Sequence, residues 1–89
     1  MLNRTAYKNI TSTGAVAAGE TWISGYTCNS TSSGTFALYD GLSATGSIII
    51  GTITPTAGAT VALPNVHFKT GCWAVIANTL NITFYTQEN

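Results

Sequence analysis

The chain has 89 residues, of which three are basic and three acidic, so its formal net charge is zero, while Thr occurs sixteen times and Ser seven. A globular chain is roughly a quarter charged, and so few cations speak against nucleic acid, an acidic partner or a membrane surface, each of which calls for clustered Lys and Arg. The length admits one domain, and 45% hydrophobic content with two Trp, four Tyr and three Phe supplies a core and excludes disorder.

In chain order, the pattern is short β-rich runs punctuated by Gly, Asn, Asp and Pro, with no helical periodicity. Residues 1–5 read as a short arm, and Ala6 to Thr11 as the first strand. Ser12 to Gly14 break the chain, a short run follows near Ala15 to Ala18, and Gly19 and Glu20 turn it. Thr21 to Cys28 is the next strand, with Gly25 marking a bulge or a close backbone approach. Asn29 to Gly34 reads as a polar loop, and Thr35 to Tyr39 as a strand with Phe36 and Leu38 on one face.

Asp40 and Gly41 are a strong turn signal, and the loop continues to Gly46. Ser47 to Thr54 is the most hydrophobic strand, and its consecutive Ile48, Ile49 and Ile50 predict cover on both faces, by its own core and by something else. Ala59 to Leu63 alternates with Val61 and Leu63 inward and ends at Pro64; Val66 to Lys69 follows. Cys72 to Ala77 and Asn81 to Thr86 complete the set, divided at Asn78 and Thr79, with Ile82 and Phe84 inward and Thr83 and Tyr85 outward. About seven or eight short strands at roughly ten-residue spacing predict an all-β fold, a single small antiparallel β-sandwich or barrel.

The longest apolar run, Cys72 to Ala77, is far short of the roughly 20 residues that span a bilayer. The opening residues have a basic character but no apolar stretch of a signal peptide, which predicts synthesis in a cytoplasm. There Cys28 and Cys72 are expected to be reduced and to pack as small apolar groups, with a single bridge as the alternative on export. Asn-x-Ser/Thr triplets begin at Asn3, Asn9, Asn29 and Asn81; in a chain this rich in Thr they arise by chance.

General acid–base or nucleophilic chemistry needs a base beside its partner. One His, one Asp and two Glu offer little choice, and no Ser stands in a nucleophile motif, so no catalytic residues are assigned. His67 alternates away from Val66 and Phe68 and reads as a surface or interface residue, against a catalytic or metal role. A lone His with two separated Cys lacks zinc spacing, and the carboxylates are too few for calcium, so no metal and no cofactor are expected. Asp40 reads as a turn-shaping carboxylate, with a ligand contact as the alternative. Trp22, Tyr26, Tyr39, Ile49, Trp73 and Tyr85 are the interface candidates, because large amphipathic rings and exposed aliphatics anchor contacts. An aromatic platform for sugars is the other use for these rings.

The run from Cys28 through the Ser32-Ser33-Gly34 loop to Leu38-Tyr39-Asp40-Gly41, followed by Ser43 to Gly46, resembles small β-sandwich virion proteins of tailed bacteriophages. Thr70-Gly71-Cys72-Trp73 and the final strand Asn81 to Tyr85 fit the same pattern, and the likeness spans residues 22–86. The motifs are turn and strand signatures, and they carry over no catalytic residue. The resemblance implies a capsid decoration (cement) protein of the head, homotrimeric, bound to the major capsid protein or other virion proteins. It would be made in the host cytoplasm and located in the virion. The alternative is a tail-fibre or spike module that binds a host receptor or glycan; a cellular β-sandwich interaction domain is the third reading. The shortage of charge agrees with an assembled state, since a free monomer with so neutral a surface risks association.

Overall fold

Six strands and no helix make up residues 4–88, which are those the computed structural model describes, with side-chain surroundings for 6–87. They are β1 (Arg4–Ile10), β2 (Gly14–Ala17), β3 (Thr21–Asp40), β4 (Ser47–Ile53), β5 (Thr60–Phe68) and β6 (Cys72–Glu88). All pairings are antiparallel and belong to one sheet. The all-β, antiparallel expectation therefore holds, with six strands against the seven or eight expected and the nine short runs laid out along the sequence.

The difference lies in three polar or Pro-containing segments that continue strands instead of ending them. Asn29–Gly34, expected as a loop, lies inside β3, where Ser30, Thr31 and Ser32 pair with Asn81, Leu80 and Thr79. Those partners include the expected break at Asn78–Thr79, which lies inside β6. Each polar segment is thus the ladder partner of the other, and backbone N–H and C=O groups pair whatever the side chain. Pro64 lies within β5, opposite the register shift between Ile23 and Gly25, with Asn65 at φ 51°. Proline is tolerated there because β5 is an edge strand that pairs only with β3. Arg4 and Thr5 belong to β1, paired with Glu88 and Gln87, rather than to an arm; residues 1–3 of that expected arm lie outside the described residues.

The long strands β3 and β6 form a ribbon that doubles over. A straight strand would carry Tyr26 and Phe36 about 33 Å apart over ten residues, yet their rings meet edge to face with centroids 5.1 Å apart. Phe36 also packs edge to face on Phe84 at 5.3 Å. The corner lies at Ser33 (φ 57°) and Asn78 (φ 61°), where the β3–β6 register shifts. Asn78 Nδ2 donates to the Ser33 carbonyl (2.8 Å), and the Gly34 N–H donates to Thr31 Oγ1 (2.9 Å). A Cβ on Gly34 would collide with the Thr79 carbonyl oxygen, so the close approach at the corner requires glycine. Gly25, the expected bulge, is the second such place: a Cβ there would lie 2.6 Å from the Val61 carbonyl oxygen.

The bend divides the sheet into two four-stranded halves that share the ribbon. One half runs β1–β6–β3–β5 and uses the N-terminal part of β3; the other runs β2–β6–β3–β4 and uses its C-terminal part. Ile23, Tyr26, Cys28, Ile82 and Phe84 from the first half meet Phe36, Leu38, Cys72 and Ala74 from the second in one core, closed by Ile10, Val16 and Phe68. Tyr26, an interface candidate, is 5% exposed and belongs to this core. Val61, expected inward, is 37% exposed. Cys28 and Cys72 are unpaired and buried. Burial raises both thiol pKa values, and for Cys72, with the nearby Asp40 charge assisting, the value reaches about 12.

Candidate interaction surfaces

Since the inner faces of the two halves form the core, their outer faces lie on opposite sides of the protein. Alternation along each strand decides which side chains reach them. On the β1–β6–β3–β5 half, register brings Asn9, Thr83, Thr27 and Thr60 into one row across four strands, and Tyr7 beside Tyr85 into the next.

This face is bound together by its own side chains. Asn81 Oδ1 accepts from Asn9 Nδ2 (2.8 Å) and Asn29 Nδ2 (3.0 Å). Thr83 Oγ1 accepts from the same two amides, each at 3.1 Å. The Thr27 hydroxyl shares hydrogen bonds with Thr60 (2.8 Å) and with the Tyr85 hydroxyl (2.7 Å). Three of the four Asn-x-Ser/Thr triplets noted in the sequence thus converge through Asn9, Asn29 and Asn81. The legible signal was their spacing: in a strand, residues two apart share a face, so an Asn-x-Thr triplet places an amide and a hydroxyl side by side. At the end of this face the Trp22 ring stacks on His67 with centroids 4.5 Å apart, and His67 Nε2 lies 2.7 Å from Glu20 Oε2.

The β2–β6–β3–β4 half is different. Its outer row reads Ala15, Trp73, Tyr39 and Ile48, one residue from each strand in register. Val75 stands next on β6, and none of these five packs into the core. Ile48 is 52% exposed and Ile49 41%, with Leu42 of the adjoining loop at 55%. Of the triple Ile, Ile50 packs on the protein's own core, and Ile48 and Ile49 are exposed in the single chain.

Of the six interface candidates, the structure thus gathers Tyr39 and Trp73 on one side, sets Trp22 and Tyr85 on the other, places Tyr26 between them, and leaves Ile49 exposed on the edge strand β4. Sequence reasoning missed Tyr7, the most exposed large hydrophobic side chain among the described residues at 74%, and Leu42.

Asp40 shapes a turn, though not its own. Its Oδ1 accepts the Thr70 N–H (2.9 Å) and its Oδ2 the Lys69 N–H (3.2 Å), so it holds the turn between β5 and β6. These backbone donors, Thr70 foremost, hold its carboxyl below the usual carboxylate range. The Gly41 N–H donates to the Gly71 carbonyl (3.0 Å) and fastens the two turns together.

No family model, curated protein or solved structure matches this chain. Its chemistry must be read from the surfaces themselves. Among the described residues no cleft is formed and no three His, Cys, Asp or Glu side chains gather to hold a metal ion.

Proposed function

We propose that this protein is a structural subunit that works by docking against other chains, of the capsid-decoration kind its sequence resembles. The observation that carries the reading is the row Ala15–Trp73–Tyr39–Ile48, uncharged and aromatic, crossing all four strands of one half. Interface centres are enriched in Tyr and Trp and depleted of charge, and burying such a row leaves no ion without its water. A subunit that binds only the assembled shell stabilises that shell by mass action. In this reading the apolar row lies on the shell and the amide–hydroxyl face looks outward.

The test uses whole particles. Heads stripped of the protein should release their contents at lower temperature than intact heads, and adding the purified chain back should restore the difference. The Trp73→Thr and Tyr39→Thr variants should fold but fail to restore it. Stripped heads as heat-resistant as intact ones would remove the stabilising role. Copies confined to the tail, with the amide–hydroxyl face retaining a glycan, would move the protein to the fibre or spike reading.

A further inference from the structure

We propose that β4 is the edge through which two copies of this chain join, strand to strand and antiparallel about a two-fold axis. The inference rests on the assembly reading above and names its first contact. An edge strand bares a row of backbone N–H and C=O groups that will pair with any extended chain, and proteins blunt such edges with charge, proline, brevity or bulges. The sheet has four edge strands, two beside β6 and two beside β3. Three of them are blunted. β1 carries Lys8, and two copies brought together there would set two cations side by side. β2 has only four residues. β5 contains Pro64, which has no N–H to offer, followed by Asn65 at positive φ.

β4, with the sequence Ser-Ile-Ile-Ile-Gly-Thr-Ile, has seven residues, no charge and no proline. Its irregularities are register shifts on the paired side, against Phe36, Leu38 and Tyr39, and Ile48 and Ile49 remain exposed. The surrounding chain gives no protection either, for no Asp, Glu, Lys or Arg occurs from Gly41 to Phe68.

The occupant follows from this neutrality. In whatever register two β4 strands meet antiparallel, an uncharged residue faces an uncharged residue, and the pairs are drawn from Ile, Thr, Ser and Gly. A two-fold contact uses the same patch twice and closes on itself, so it yields a dimer, in place of the trimer the resemblance implies, and not a fibre. A standard interface covers about 800 Å² of each partner, out of 4680 Å² here. The axis of such a pairing stands perpendicular to the sheet. The outer faces of both copies then lie on one side, so the two rows Ala15–Trp73–Tyr39–Ile48 share one surface of eight strands.

Sedimentation of the whole chain over a range of concentrations tests this. The wild type should form a dimer, and Ile49→Lys should raise its dissociation constant at least tenfold, while Ala6→Lys on the opposite edge leaves it unchanged. Cysteine trapping makes the result independent of whether Ile49→Lys folds. Cys28 and Cys72 are buried, so in Ile48→Cys, Gly51→Cys and Thr52→Cys the new thiol is the reactive one. At least one of these should give a disulfide-linked dimer on mild oxidation, and Ala6→Cys none. A wild type that stays monomeric at every concentration overturns the proposal. So does an oligomer that ignores Ile49→Lys and forms no β4 crosslink, although that outcome leaves the assembly reading standing. The converse pair of results, a β4 dimer together with stripped heads as stable as intact ones, would keep this contact and remove the decoration role.

Discussion

The two outer faces of this protein are built on the same ribbon, yet they satisfy their side chains in opposite ways. On the β1–β6–β3–β5 half, Asn9, Asn29, Asn81, Thr83, Thr27, Thr60 and Tyr85 bond to one another. On the β2–β6–β3–β4 half, Trp73, Tyr39, Ile48 and Ile49 lie outside the core. The difference teaches that a nearly uncharged surface is of two kinds. One has polar groups that already bond to one another, and only Tyr7 at its β1 edge stands well exposed among its large side chains. The other is left incomplete, since large apolar side chains in water lose free energy that a partner would return.

The comparison breaks first at the shared core. Phe36→Ala removes the ring that touches both Tyr26 and Phe84 and should cost about 3–5 kcal/mol. Urea unfolding followed by tryptophan fluorescence and by far-ultraviolet circular dichroism should still show a single transition. Two separated transitions would mean that the halves are independent and not one doubled sheet.

The corner comes next. Gly34→Ala introduces a Cβ against the Thr79 carbonyl and should destabilise by about 2 kcal/mol, within the range for overpacking, as read from the denaturation midpoint. An unchanged midpoint would show that the ribbon does not need its close approach there.

Asp40 adds a pH dependence. Its folded carboxyl titrates below the ordinary value near ~3.9 because the Thr70 and Lys69 N–H groups bind the ionised form. The contribution is thus present above the unfolded value and is lost as pH falls through the lower, folded one. Asp40→Asn should lower stability by about 1 kcal/mol at pH 7 and flatten the acid limb of the stability profile below pH ~4. An acid limb identical in both proteins would assign that slope to other groups.

The smallest stability changes sharpen the comparison most. Asn81→Ala takes an acceptor from two amides and should cost about 0.5–1 kcal/mol without affecting association. Trp73→Thr should do the reverse, leaving the melting temperature nearly unchanged while abolishing attachment to particles. If both variants affect stability and neither affects attachment, the two faces do not differ in function.

Much of the strand content was legible in the residues, because period-two alternation is local. Phe36 with Leu38, Ile82 with Phe84, and the outward Thr83 and Tyr85 stand where alternation puts them. Asp40 as a turn carboxylate was legible too, although the turn it holds lies some thirty residues away, at Lys69 and Thr70. What misled was polarity. Asn29–Gly34 and Asn78–Thr79 have the composition of loops, and only their mutual pairing makes them strand. The convergence of Tyr39 and Trp73, far apart in the chain, likewise depends on the β3–β6 register.

The sequence by itself determined that this protein is all-β, nearly uncharged and stocked with aromatics for a core and a surface, because composition and alternation need no partner to be read. Tertiary structure decided how many strands there are, where the ribbon folds, and which rings face the core, the bonded face or the bare one. Those are matters of pairing between distant segments. A backbone donor finds its acceptor by register across the sheet, and no window of neighbouring residues contains that information.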